Sequence, residues 1–148
     1  MLNPSRLVDF VHNKRLISKF IRAHPGTYVA EYYPLGRTQE SLLDILGLHF
    51  DPRQYESRVI KMVYHSMHRV RKHLFKKELE YGVREYGPRF LVALGTVCPG
   101  ILGNEPTISR AQLKQDLEMC KETGVREVVI YRLGGLTRKF TSLLKRLS

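Results

Sequence analysis

The stretch FLVALGTV, residues Phe90 to Val97, contains no charged side chain. A near-continuous apolar run of this length is typical of a strand that is covered on both faces, as in a parallel sheet. Downstream, Ser109 and Gln112 form a capping-box pattern for a helix that ends at Gly124. A second apolar run then follows in the segment GVREVVIYRLGGL, from Val128 to Leu133 and broken only by Arg132. A strand, a helix and a strand in this order predict a right-handed crossover within a parallel sheet.

The pattern continues toward the amino terminus. Apolar residues at helical spacing predict a first helix that is stopped by the sequence HPG at residues 24–26. A strand is predicted over Thr27 to Pro34, a short helix in QESLLDILG, and a long amphipathic helix over residues 55–81. A final basic helix is predicted over Thr137 to Leu147. We therefore predict a single α/β domain over residues 1–148, with an N-terminal helix and a parallel sheet of about three strands alternating with helices.

Bulk composition limits the function classes. The 148 residues are 43% hydrophobic and 26% charged, and no stretch approaches the roughly 18 apolar residues of a membrane span. The N-terminus lacks the apolar core and cleavage site of a secretory signal, so we expect a cytoplasmic protein that is not inserted in a membrane. The two cysteines, Cys98 and Cys120, are expected to be free thiols. A net charge of +11 favours contact with a polyanion, and solubility is the alternative explanation.

The segment RFLVALGTV, followed by NEPTISRAQLKQDLEMCKETGVREVVIYRLGGL, resembles the last two strand and helix units of a (β/α)8, or TIM, barrel. Its ending, a helix, KETGV, an apolar strand and RLGGL, is similar to the closing strand of glycoside-hydrolase-like barrels. The resemblance implies that the chain supplies about three of the eight strands. It would then be a glycosidase-like subunit or remnant, catalytically incomplete as a lone monomer. A homo-oligomer, pairing with a complementary barrel fragment, or the chain's own helices wrapped over the edges would cover the open sheet edges.

The resemblance also directs attention to the carboxyl ends of the strands, where such barrels carry their active sites. Glu31 and Glu105 are the candidate carboxylate pair for sugar hydrolysis, and Arg132 is the candidate clamp for a carboxylate or phosphate. The alternatives are a buried or edge-paired Glu31, a loop charge at Glu105, and a structural ion pair of Arg132 with Glu31. Gly95 and Thr96 stand where the glycosidase pattern usually places an acid. The Gly134 and Gly135 pair predicts either an anion-binding turn or a plain tight turn.

The second function class is a basic nucleic-acid-binding module that uses the long helix 55–81. Arg69, Lys72 and Lys76 are its candidate phosphate contacts, and a charged outer helix face is the alternative. His65 and His68 have a spacing that metal sites use, but no third ligand accompanies them, so a solvated face is the preferred interpretation. We predict no metal and no cofactor.

Overall fold

The computed structural model of the chain describes residues 4–32, 37–64, 71–99, 103–104, 106–131 and 133–147. Side chains are described for these residues except 4–8, 32, 37–39, 96 and 147. Six helices are described: α1 (Pro4–Ala23), α2 (Arg37–Ile45), α3 (Pro52–Tyr55), α4 (Lys72–Tyr86), α5 (Arg110–Thr123) and α6 (Arg138–Leu147). Four strands are described: β1 (Tyr28–Tyr32), β2 (Arg58–Met62), β3 (Phe90–Thr96) and β4 (Glu127–Tyr131).

The strands form one parallel sheet in the order β1-β2-β3-β4, so each strand lies beside the next strand along the chain. Helices separate the strands in sequence, and α1 precedes the sheet. The α/β class, the parallel sheet and the N-terminal helix are therefore confirmed. Among the described helices, none is long and apolar enough to cross a membrane.

The prediction of one long helix over residues 55–81 is wrong. The segment contains β2 from Arg58 to Met62, and α4 begins only at Lys72, so the described sheet has four strands rather than three. Apolar residues at 60 and 63 mimic a helical step, but burial in β2 alternates between intermediate and buried positions, as in a strand. Lys61, which is buried in β2, fits a polar position of the predicted helix. Arg69 lies outside the described residues.

One face of the sheet packs against the helices. Val59 of β2 is in register with Phe90 of β3, and both belong to the main buried cluster. Register partners in a parallel sheet point to the same side, so alternate residues of each strand face the helix layer. The cluster joins that side to α4, α5 and α6 through apolar side chains that are fully or almost fully buried, among them Phe75, Leu79, Leu113 and Leu143.

The opposite face of the sheet is also apolar. Its central side chains are those of Ile60, Met62, Leu91, Ala93 and Val129, and neither buried cluster of described residues contains them. Leu91 and Ala93 are 3% and 2% exposed, and Ile60, Met62 and Val129 are partly exposed. We call this surface, defined by those five residues, the open face, because it lies opposite the helix side of the sheet.

A polar bridge crosses one end of the open face. Arg58 Nη1 donates to Glu127 Oε1 at 2.6 Å and to the Tyr28 hydroxyl at 3.0 Å. These residues lie at the amino-terminal ends of β2, β4 and β1, so the bridge spans the width of the sheet over β3.

The helix cap predicted at Ser109 is present in the structure. Ser109 Oγ accepts from the backbone N–H of Gln112, which confirms the N-cap, and α5 ends at a left-handed Gly124.

Gly135, in the predicted glycine pair, is buried, and an added Cβ would lie 2.5 Å from Cys98 Cβ. This close approach favours the plain tight turn over an anion site. Cys98 and Cys120 are free, and burial raises the pKa of the Cys120 thiol to about 12.

Gly82 allows α4 to approach β3. A Cβ at this buried position would lie 2.2 Å from the ring of Phe90, which is itself buried. We expect Gly82→Ala to destabilise the protein by more than about 1 kcal/mol, because overpacking outweighs the roughly 1 kcal/mol that alanine gains in a helix. Gly134→Ala is the control, since nothing lies within 4 Å of its Cβ position. Denaturant unfolding of both variants checks the result, and a Gly82→Ala variant as stable as the parent chain would contradict the described packing.

Candidate functional site

Glu31 lies in β1 and points to the helix side of the sheet, where it is 4% exposed. Its register partner on β2 is Lys61, so the two side chains leave the sheet next to each other. Glu31 Oε2 accepts from Lys61 Nζ at 2.7 Å and from His49 Nδ1 at 2.8 Å. Glu31 Oε1 accepts from the backbone N–H of Phe50 at 2.9 Å. Both oxygens of the Glu31 carboxylate are therefore occupied by donors.

These donors determine the protonation state of Glu31. Burial by itself raises the pKa of the carboxyl group, but the hydrogen bond from His49 and the positive charge of Lys61 hold the pKa below its usual value. The carboxylate is thus the form that its surroundings stabilise. The turn after α2 supplies both His49 and the Phe50 N–H, so Glu31 also connects β1 to that turn.

Lys61 is the centre of a larger buried group. Its side chain is 1% exposed, and Nζ lies 3.1 Å from Glu40 Oε1 as well as 2.7 Å from Glu31 Oε2. Glu40 belongs to α2, so one ammonium group links β1, β2 and α2. A buried charge is tolerated only when it is paired, and Lys61 has two carboxylate partners.

Glu40 is held from its other side by two phenols of α4. Its Oε2 accepts from the Tyr81 hydroxyl at 2.6 Å and from the Tyr86 hydroxyl at 2.9 Å. Burial, followed by the hydrogen bond to Glu40, raises the pKa of Tyr81 to about 12, and burial with the charge of Glu40 raises the pKa of Tyr86 still further. Both phenols therefore remain neutral donors throughout the physiological pH range.

Glu78 of α4 adds a third carboxyl group to the surroundings of Lys61. It is 6% exposed, and burial raises its pKa to about 7, with the positive charge of Lys61 opposing the shift and the negative charge of Glu40 adding to it. Three carboxyl groups thus surround one lysine, and burial makes Glu78 bind a proton more readily than an exposed glutamate does. We call the group the Lys61 cluster; its members are Lys61, Glu31, Glu40, Glu78, His49, Tyr81 and Tyr86.

A cleft of about 390 Å³ gives access to the outer side of this cluster. Glu40, His49, Tyr81 and Tyr86 line it, together with residues of α2 and α3 that include Asp51 and Arg53. The groups at the cleft are mainly neutral donors and charged pairs, such as Arg53 Nη2 and Asp51 Oδ2 at 2.7 Å. The arrangement can bind polar groups and hold a proton at Glu78, but the charges at its centre are already mutually paired.

The predicted catalytic residues are only partly described. Glu31 belongs to the Lys61 cluster on the helix side, whereas Glu105 and Arg132 lie outside the described residues. The structure gives Glu31 the partners Lys61, His49 and Phe50, and β1 is at the opposite edge of the sheet from β4, which precedes Arg132. The roles assigned to these three residues stay predictions.

The predicted phosphate contacts and metal ligands are also incompletely described. Lys72 and Lys76 are exposed on α4, and Lys76 Nζ lies 4.0 Å from Glu80 Oε1. His65 and His68 lie outside the described residues. Within the part of the chain that the structure describes, no group of three or more His, Cys, Asp or Glu side chains is arranged to hold a metal ion.

Sequence reasoning missed most of the Lys61 cluster. The helix predicted over residues 55–81 would place Lys61 among its basic positions, and no sequence motif singles out Glu40, His49 or Glu78. The available signal was the alternation in RVIKMV, residues 58–63, which places Lys61 on the same side as Val59 and Val63. A lysine between two buried valines indicates a buried cation that requires carboxylate partners.

Comparison with known proteins adds no relative: no protein-family model, no curated protein and no solved structure matches the chain.

Proposed function

We propose that the chain is one half of a TIM-barrel-like protein that self-associates, so that two copies complete a closed barrel. The observation that carries the proposal is the sheet itself: four parallel strands in consecutive order, with helices on one face and an apolar surface on the other. Consecutive parallel order with helices on one side is the arrangement of a (β/α)8 barrel, in which the second face becomes the packed interior.

Symmetry makes this closure geometrically simple. A two-fold axis along the barrel axis keeps all strands parallel and places β4 of one copy beside β1 of the other, twice. The four described strands of each copy then supply the eight strands of a closed barrel, and both sheet edges are paired. Pairing the edges removes the unpaired backbone groups that make an exposed parallel strand prone to aggregation.

The side chains of the open face fit a barrel interior. Large and small residues occur together on it: Met62 is in register with Ala93, and Ile60 is in register with Leu91. Barrel interiors are filled by layers of such side chains from alternate strands. Tyr28 and Tyr131, on the two edge strands, are each 52% exposed. Closure would bury both rings, which supplies apolar area at the seams.

The three predicted catalytic residues would have different roles in a closed barrel. In a closed barrel the site would form at the carboxyl ends of the strands, which leads to the glycosidase-like role predicted for Glu105 and Arg132. Glu31 faces the helices, and its oxygens are occupied by Lys61, His49 and the Phe50 N–H. We therefore assign Glu31 to positioning β1 against β2 and α2 rather than to acid and base chemistry on a sugar.

Light scattering of the purified full chain at low and high salt tests the proposal. We expect twice the chain mass of 17.2 kDa in both conditions, because apolar burial and strand pairing are insensitive to screening. Ile60→Asp places a charge on the open face and Tyr131→Arg places one at the β4 edge, so both variants should dissociate. Ile45→Asp is the matched control, because Ile45 is 67% exposed on α2, and it should keep the parent mass.

The Tyr131→Arg variant keeps the test valid if Ile60→Asp fails to fold, since Tyr131 is half exposed and its replacement leaves the core intact. Circular dichroism of each variant verifies folding. A folded parent chain of 17.2 kDa in both salt conditions would overturn self-association. An assembly that both variants leave intact would show that a different surface mediates it, which also overturns the proposal.

A further inference from the structure

A second cleft, of about 550 Å³, lies between α5 and α6, where Arg110, Ala111, Lys114, Leu143 and Arg146 line it. The first turn of α5 and the last turn of α6 thus lie beside each other. We propose that this cleft binds a phosphate monoester that carries an apolar or aromatic body, of the size of a mononucleotide. The site is separate from the open face and from the Lys61 cluster.

The charge of the lining selects an anion. Arg110, Lys114 and Arg146 are exposed cations, and no carboxylate is among the described residues that line the cleft. One of these cations has a carboxylate neighbour: Glu118 Oε1 lies 3.5 Å from Lys114 Nζ. Two guanidinium groups and an ammonium group can satisfy the charge of a phosphate monoester, and arginine matches phosphate oxygens with paired N–H donors.

The floor of the cleft selects a ligand with more than a phosphate. Leu143 is 3% exposed and belongs to the main buried cluster, and Ala111 contributes a methyl group at the rim. Leu143 and Ala111 give the lining an apolar part beside its cations, which favours a ligand that joins an apolar group to its phosphate. The volume lies within the range of about 300 to 1,000 Å³ that small-molecule sites occupy.

The rest of the molecule is consistent with a free cleft at this position. Helix α5 packs into the core through Leu113, Met119 and Cys120, so the face that carries Arg110 and Lys114 is left for contact with solvent or ligand. The net charge of +11 attracts anions to the whole surface, and the cleft adds the shape that a surface charge alone lacks.

NMR titration of the full chain with adenosine 5′-monophosphate, adenosine and inorganic phosphate tests the proposal. We expect adenosine monophosphate to bind most tightly and to shift amide signals of residues 110–114 and 143–146. The variant Arg110→Ala with Arg146→Ala should lose at least about tenfold in affinity, since it removes both guanidinium groups that would donate to the phosphate oxygens. Arg15→Ala with Lys19→Ala removes the same charge from exposed positions of α1 and should change affinity less than about twofold.

Each other outcome contradicts the proposal. Equal affinity for adenosine and its monophosphate would exclude phosphate recognition. Equal affinity for inorganic phosphate would exclude a role for the apolar floor. An equal loss in both double variants would show that binding follows total charge, which is the behaviour of a general polyanion surface. The light-scattering mass is measured in parallel, so failure here is distinguishable from failure of barrel closure.

Discussion

Replacing Lys61 with methionine is expected to destabilise the protein by about 3 to 5 kcal/mol. The variant keeps the length and apolar stem of the side chain but removes the ammonium group that lies 2.7 Å from Glu31 and 3.1 Å from Glu40. Both carboxylates are at most 5% exposed, so neither can recover its lost partner from water. The cost is the free energy of leaving buried charge uncompensated, which exceeds the net gain from a typical ion pair.

Urea unfolding of Lys61→Met beside Lys76→Met measures this cost. Lys76 is 51% exposed and its Nζ lies 4.0 Å from Glu80, so its replacement should change the free energy of unfolding by less than about 0.5 kcal/mol. Adding Glu31→Gln to Lys61→Met should recover part of the loss, because the amide is neutral. A Lys61→Met variant within about 1 kcal/mol of the parent chain would show that the described cluster is not desolvated.

The second large effect is a pH dependence that arises at Glu78. We expect Glu78→Gln to be more stable than the parent chain at pH 8, by roughly 3 kcal/mol, with the difference disappearing near pH 4.5. The pKa of Glu78 is raised from 4.5 to about 7, so the folded state binds this proton more tightly than the unfolded state. This contribution to stability is complete below pH 4.5, declines as the pH rises toward 7, and is absent above that.

Glu31 gives the stability of the protein the opposite pH dependence, and it does so in a lower pH range. Its pKa is lowered from 4.5, so its contribution is present above that pH and is lost as the pH falls further. Unfolding measured between pH 5 and 8 therefore isolates Glu78 from Glu31. Glu80→Gln, on the exposed face of the same helix, is the control and should parallel the parent chain. Parallel pH profiles for Glu78→Gln and the parent would contradict the burial of Glu78.

Much of the architecture could be predicted from local pattern. The apolar run of β3, the Ser109 cap and the terminal Gly124 of α5 depend on neighbours within a few positions, and the structure contains all three. The prediction failed at β2 because its apolar residues are compatible with two periods, and no nearby glycine or proline separates β2 from α4. A strand, with its alternating burial, is favoured over a helix here only because Val59 and Val63 pack into the same cluster as α4.

The sequence by itself determined the α/β class, the alternation of strands with helices, and a strongly basic surface, because these follow from local periodicity and from composition. The tertiary structure alone decided which groups pair with Lys61. Glu31 and Lys61 are 30 positions apart, and Glu40 is 46 positions from Tyr86. Their association depends on burial in a low-dielectric layer between sheet and helices, and the choice of distant partners is a property of chain packing that no local pattern carries.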